Sequence, residues 1–179
     1  MRFGLAFSQG GSILGAGAPP PVQEGFFGTK LTNGGGNWGT QANRAMLDRF
    51  TLSDTATLKR LFIWILTPNS GEVNVKGIIY TDNAGVPGNL VAVGSPANTA
   101  GLSLAYLQSN FADEVIAPGN YWIGAVSDAS GREFGSGLHS APNAVIINGD
   151  LSYANPPAVC PTPAANYAND VACYVEYTF

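Results

Sequence analysis

Two neighbouring stretches decide the fold: Val75–Val93, VKGIIYTDNAGVPGNLVAV, and Val115–Val126, VIAPGNYWIGAV. Each consists of short runs of β-branched and aromatic residues separated by compact polar turns. Asp82-Asn83, Gly85 and Pro87-Gly88 punctuate the first; Pro118-Gly119-Asn120 punctuates the second. That pattern predicts strands joined by tight turns. A helix is excluded, because Pro87, Gly88, Pro118 and Gly119 break any period of 3.6. The core is therefore expected to be all-β.

Outward from there, Thr57–Leu66 (TLKRLFIWIL) predicts the most apolar strand, with Leu61, Ile63 and Ile65 on one face and Phe62, Trp64 and Leu66 on the other. An antiparallel strand with one wet face alternates apolar and polar residues. This strand is apolar on both faces, so its second face needs a cover: a loop, the N-terminal segment or a neighbouring subunit. Ala45–Leu52 (AMLDRFTL) predicts a strand whose apolar stripe, Met46, Phe50 and Leu52, is broken by Asp48. At the chain end, Cys173, Val175, Tyr177 and Phe179 are expected inward and Tyr174, Glu176 and Thr178 outward. Further strands are expected at Glu24–Leu31, Leu104–Ile116 and Ala144–Asn148. About eight strands at regular spacing predict an antiparallel β-sandwich of jelly-roll type.

The expected organisation is an extended Gly/Pro-rich arm, residues 1–23, followed by the sandwich, residues 24–179, with an irregular excursion over 149–171. In the arm, Ser8-Gln9-Gly10-Gly11 interrupts the apolar stretch, so the segment reads as retained rather than as a cleaved signal peptide. Phe3, Leu5 and Phe7 are its candidate anchors, either onto the chain's own domain or as a tether to another subunit.

Among 179 residues, 45% are hydrophobic and only 11% charged, against about one quarter charged in an average soluble protein. Such a surface is weakly repelled from its neighbours, which suits an assembly component. A net charge of -4 gives no electrostatic footprint for nucleic acid. The longest apolar run, Leu61–Leu66, is too short to span a bilayer.

The residues with chemistry are few. Cys160 and Cys173 are expected to form a disulfide holding the excursion, worth about 3 kcal/mol in the chain-entropy view; the alternative is two buried thiols. A metal site is not expected from two cysteines and the single His139. His139-Ser140 and Asp113-Glu114 are adjacent in extended chain and point apart, so neither pair is a catalytic couple. Asp82-Asn83 reads as turn chemistry rather than as a Ca²⁺ loop. No cofactor and no enzymatic activity are expected. For ligand contacts the candidates are the aromatic residues Trp38, Tyr106, Tyr153 and Tyr167, with Arg132 as hydrogen-bond donor.

The central stretch also resembles a known module. Tyr80, Asp82, Gly85, Pro87, Gly88 and Leu90 match a Tyr-x-Asp-x-x-Gly-x-Pro-Gly-x-Leu turn, and Gly119, Tyr121 and Trp122 match a later Gly-x-Tyr-Trp. Together with the strand pair in Arg49–Ile65, they resemble a jelly-roll β-sandwich module of phage virion proteins and bacterial secreted or surface proteins. The resemblance covers Arg49–Ser127. It implies a structural component of a bacteriophage virion (decoration, fibre or tail-accessory protein) that assembles with other virion subunits and with itself, through the arm, Phe62 and Trp64. The alternative it implies is a carbohydrate-binding or adhesion module of a secreted or cell-surface protein that contacts surface glycans.

Overall fold

The computed structural model describes residues 22–30, 36–68, 71–138, 144–147, 149–167 and 169–179. Phe3, Leu5, Phe7, His139 and Ser140 lie outside them, and so does the side chain of Tyr167. Among the described residues there are fifteen strands and no helix, arranged as two antiparallel sheets packed face to face. The chain is a β-sandwich, as its alternating apolar runs require.

Strands are numbered in chain order. The first sheet runs β1 (Glu24–Gly28), β15 (Cys173–Thr178), β4 (Ala56–Pro68), β11 (Arg132–Leu138) and β14 (Asn169–Val171). Along it, β2 (Gly36–Gly39) pairs with β11, while β8 (Ala105–Asn110) and β9 (Val115–Ile116) pair with β4. The second sheet runs β13 (Ala165–Tyr167), β12 (Ala144–Ile147), β3 (Ala45–Leu52), β10 (Gly119–Ser127), β5 (Asn74–Asn83) and β6 (Val86–Val93), with β7 (Ala97–Asn98) on β5.

Alternation along these strands produces two cores. Leu61, Ile63 and Ile65 of β4, Met46 and Leu52 of β3, Ile79 of β5, Ile123 of β10 and Cys173 and Val175 of β15 meet between the sheets. The intervening residues of the second sheet, Ala45, Leu47, Ile78, Tyr80, Trp122 and Val126, face outward. They are buried because the excursion folds across them and inserts Leu151 and Cys160.

The excursion is held without a disulfide. Both thiols are free and buried, Cys173 between the sheets and Cys160 in the outer cluster. The bridge expected from the sequence is therefore corrected: the second sheet stands between the two clusters. Backbone bonds hold the segment instead, from Leu90 N–H to Ala158 O and from Cys160 N–H to Gly88 O, each 2.8 Å. The Tyr80 hydroxyl donates to Pro157 O at 3.1 Å, and Lys76 Nζ donates to Tyr153 O at 2.9 Å. These satisfy the polar groups that a long coil must otherwise leave to solvent.

Several boundaries differ from expectation. The stretch punctuated by Asp82-Asn83, Gly85 and Pro87-Gly88 is largely strand: β5 and β6 pair as far as Asn83 and Val86, leaving two residues, Ala84 and Gly85, at the tip. Their φ angles of 54° and 90° supply the left-handed pair that two-residue hairpins need. Trp38 and Arg132, which stand beside glycines in the sequence, lie in strands, β2 and β11, and the last part of the excursion forms β13 and β14.

Candidate functional site

The residues expected to touch a ligand do not converge. Trp38 is only 5% exposed; it packs on Phe134 at 5.7 Å between centroids, with the Arg44 guanidinium 5.1 Å from its ring. Arg132 is 4% exposed and spends its guanidinium inside the protein. Its Nε donates to Thr99 Oγ1 at 3.0 Å, and its Nη2 donates to Thr99 O at 2.9 Å. It therefore pins the 99–102 turn and does not face a ligand. Tyr153 lies against the outer cluster under Lys76 Nζ, 4.6 Å from its ring centre. Of the candidate acid pair, Asp113 forms an exposed ion pair with Lys59 at 2.8 Å.

What the fold does bring together is Tyr106 with Phe62 and Trp64, residues expected to serve different purposes. They lie on the outer face of the first sheet, where β8 and β15 flank β4. Register places Trp64 opposite Tyr106 and Phe62 opposite Tyr174. The rings of Phe62 and Tyr174 stack at 4.9 Å and 14°. Tyr106 meets Phe62, Trp64 and Tyr174 edge-on at 6.2, 4.9 and 5.2 Å. Phe26 of β1 continues the row, 6.0 Å from Tyr174. Trp64 sinks into the space above Gly135, where any Cβ would lie 2.5 Å from its ring.

This cover is incomplete. Phe26 is 51% exposed, Phe62 and Tyr106 are half-buried, and the buried Trp64 Nε1 has no partner among the described residues. Cations rim the row: Lys30 Nζ sits 3.8 Å above Phe26 and 4.3 Å above Tyr174, and the Arg60 guanidinium lies 5.7 Å from Phe62. Arg60 is in turn paired with Glu176 at 2.7 Å. Burial raises the Tyr174 hydroxyl, nearby Glu176 raises it further, and Arg60 opposes both. The Tyr174 hydroxyl therefore stays protonated at physiological pH. Phe26 and Tyr174 belong to this surface but were not singled out from sequence. The outward alternation of β15 carried the signal for Tyr174.

The hairpin motif occupies a second place. Asp82 accepts from Trp122 Nε1 at 2.8 Å and from Arg49 Nη2 at 3.0 Å, with Arg49 Nε a further 2.9 Å contact whose N–H is not aligned for a bond. Gly85 N–H closes the turn on its other side at 3.3 Å. Burial works against the charged form, but these donors outweigh it and hold the carboxyl below its ordinary value. The charge is thus offset within the protein by Arg49 and the Trp122 and Gly85 donors. Between this hairpin and Val159–Pro163 lies a cleft of about 490 Å³, lined by Thr81, Asn83, Asn89 and Thr162 among others. Cys160 lines it too, with burial pushing its thiol up to about 12. Among the described residues no group of three or more His, Cys, Asp or Glu side chains is placed to hold a metal ion. No family model and no curated protein matches the chain.

Proposed function

We propose that the protein is a non-enzymatic structural component of a bacteriophage virion that docks to its neighbours through the outer face of the first sheet. The observation that carries this reading is the aromatic row from Phe26 to Trp64. The two sheets are treated differently by the chain. The outer face of the second is buried under the excursion, whereas among the described residues the row on the first is covered by its own rings alone and stays partly open. Partly exposed aromatic residues with cationic rims are the composition of protein interfaces, where Tyr, Trp, Phe and Arg are enriched. The low charge and the resemblance of Arg49–Ser127 to virion modules point the same way.

The expected result is that gradient-purified particles of the phage encoding the chain contain it at a fixed copy number, measured by quantitative mass spectrometry. Phe26→Glu, at an exposed position, is expected to fold normally and to incorporate at least about tenfold less, since it removes the exposed ring and carries a charge into the contact. Particles lacking the wild-type chain overturn the assignment. Normal incorporation of the variant removes the aromatic face from it.

The second reading, a glycan-binding module of a secreted or cell-surface protein, is favoured by the hairpin cleft rather than by Trp38 or Arg132. The side chains of Asn83, Asn89 and Thr162 make no hydrogen bond to the described residues, and Asp82 is neutralised, so the lining suits a neutral hydroxylated ligand. Binding on a neutral-glycan array that vanishes in Asn83→Ala/Asn89→Ala supports this reading; a blank wild-type array discards it.

A further inference from the structure

The aromatic row ends at β1, and β1 is an edge. Among the described residues it pairs only with β15. The parity of that ladder decides which backbone groups remain free. Gln23 and Phe179 exchange two bonds, at 3.3 and 3.0 Å, and Thr29 N–H donates to Cys173 O at 2.7 Å. Hydrogen-bonded pairs in an antiparallel ladder recur every second residue, so the odd positions 23, 25, 27 and 29 turn their N–H and C=O groups toward β15. The even positions, Glu24, Phe26 and Gly28, therefore turn theirs away from β15, toward an edge that no described strand occupies. An open edge with unpaired groups is a template for another strand.

Side chains at even positions share one face, the outer, aromatic one, as Phe26 shows by packing on Tyr174. Glu24 precedes Phe26 on it and Lys30 follows. Among the described residues Glu24 has no ion pair, and the ammonium of Lys30 engages the rings of Phe26 and Tyr174 alone. Together with Glu176 they border a shallow recess of about 170 Å³. Among the described residues the segment thus carries a negative charge at position 24 and a positive one at position 30, neither in an ion pair, the arrangement that an antiparallel copy of itself satisfies twice.

We infer that β1 is a self-association edge: two copies of the chain pair their β1 strands antiparallel about a two-fold axis, joining the first sheets of both copies into one. The register follows from the parity and the charges. Hydrogen-bonded pairs across the new seam must be even with even. Placing Phe27 opposite Phe27 sets Glu24 of each copy directly opposite Lys30 of the other and lays each Phe26 over the other copy's Gly28. Gly28 has φ 122° and no side chain to obstruct the ring. The pairing is isologous, so it closes at two copies. It also makes the two aromatic rows continuous across the axis. This inference deepens the proposed assembly role and names a second copy as one of the partners.

The test uses the full chain and charge reversal, read by sedimentation velocity over a concentration series. Wild type is expected to dimerise. Glu24→Lys and Lys30→Glu are each expected to weaken the dimer at least about tenfold, since each sets two like-charged pairs face to face. A mixture of the two single variants is expected to form the heterodimer, with both pairs restored, and Glu24→Lys/Lys30→Glu to return to near wild-type affinity. Circular dichroism of each variant checks that these exposed changes leave the fold intact. A monomeric wild type, or a dimer that neither variant weakens, overturns the inference, and so does failure of the mixture and the double variant to recover. Incorporation into particles is a separate readout, so loss of the dimer with normal incorporation leaves the virion role standing.

Discussion

Gly124→Ala is expected to destabilise this protein severely for the addition of a single methyl. Gly124 lies in β10, with Leu47 of β3 on one side and Ile78 of β5 on the other. A Cβ there would lie 2.0 Å from Met46 O and 3.1 Å from Leu47 Cα. Both are backbone atoms of the adjoining strand, so no side chain can rotate aside, and β3 has to move away from β10. That movement disrupts the ladder at the middle of the second sheet and opens both cores that share it. Overpacking a core ordinarily costs about 1–3 kcal/mol; a clash with a neighbouring backbone is expected to exceed that, at about 4 kcal/mol or more. For a domain of this size the midpoint of thermal unfolding should fall by roughly 10 °C. Gly119→Ala is the control. A Cβ at Gly119 meets nothing closer than 3.6 Å, so its midpoint should stay within roughly 2 °C of wild type. Differential scanning calorimetry of both variants decides, and equal midpoints refute the close-approach argument.

Asp48→Asn is expected to stabilise the protein above neutral pH. Asp48 is 1% exposed on the inward face of β3, and Asp170 of β14 faces it across the core. Burial, then the charge of Asp170, pushes its carboxyl from 3.8 up to about 7, although the backbone N–H groups of Arg49 and Val171 pull the other way. The two carboxyls in turn raise the Cys173 thiol, already raised by burial. In the unfolded chain Asp48 releases its proton near pH 3.8; in the folded chain it keeps it to about pH 7. Between those values the folded state binds the extra proton, so stability is fully present below about pH 4 and declines as pH rises to about 7. At about 1.4 kcal/mol for each tenfold change in acidity the decline is about 4 kcal/mol. Asn carries no charge to bury, keeps an acceptor for the Arg49 N–H and adds a donor toward Asp170. Urea titrations at pH 5 and pH 8 should show wild type losing stability between them and the variant nearly level, the variant being the more stable at pH 8. A wild type that is equally stable at both pH values contradicts a buried proton on Asp48. Asp82 acts in the opposite sense: its stabilisation is present above its ordinary carboxyl value and fades as the solution is acidified through it.

Much of this architecture was written in alternation. The doubly apolar strand Thr57–Leu66 divides as its spacing demands, Leu61, Ile63 and Ile65 between the sheets and Phe62 and Trp64 outside. The stripe of β3 survives its polar interruption, because Asp48 stays on the inward face beside Met46 and Leu52. At the chain end, Tyr174 turns outward as expected, while Phe179, which closes the ladder against Gln23, is 55% exposed rather than buried. The errors share a cause, which is that exposure is decided by distant chain. Trp38 sits among glycines and reads as loop, yet β11 arrives from almost a hundred residues away to pair with it. Arg132 reads as a surface donor until the Thr99 turn wraps its guanidinium. Cys160 and Cys173 are near in sequence, but a whole sheet passes between them. The candidate surface was half legible for the same reason: Phe62 and Trp64 are marked by their own strand, whereas Tyr106 and Phe26 join them only through strand pairing.

The meeting of Gln23 and Phe179 has a mechanical consequence. Because β1 and β15 run antiparallel, these two residues leave the molecule at one corner, joined by a reciprocal pair of bonds. Tension that draws them apart does not load the ladder in shear, where all its bonds would resist together. It acts on one pair at a time, first 23 with 179, then Gly25 with Tyr177, then Phe27 with Val175. The domain should therefore yield at low force when stretched between these two residues and strand by strand from the β1 edge. Stretched between Ala84 at the hairpin tip and Phe179, it should resist far more, since the force then runs across both sheets instead of along one seam.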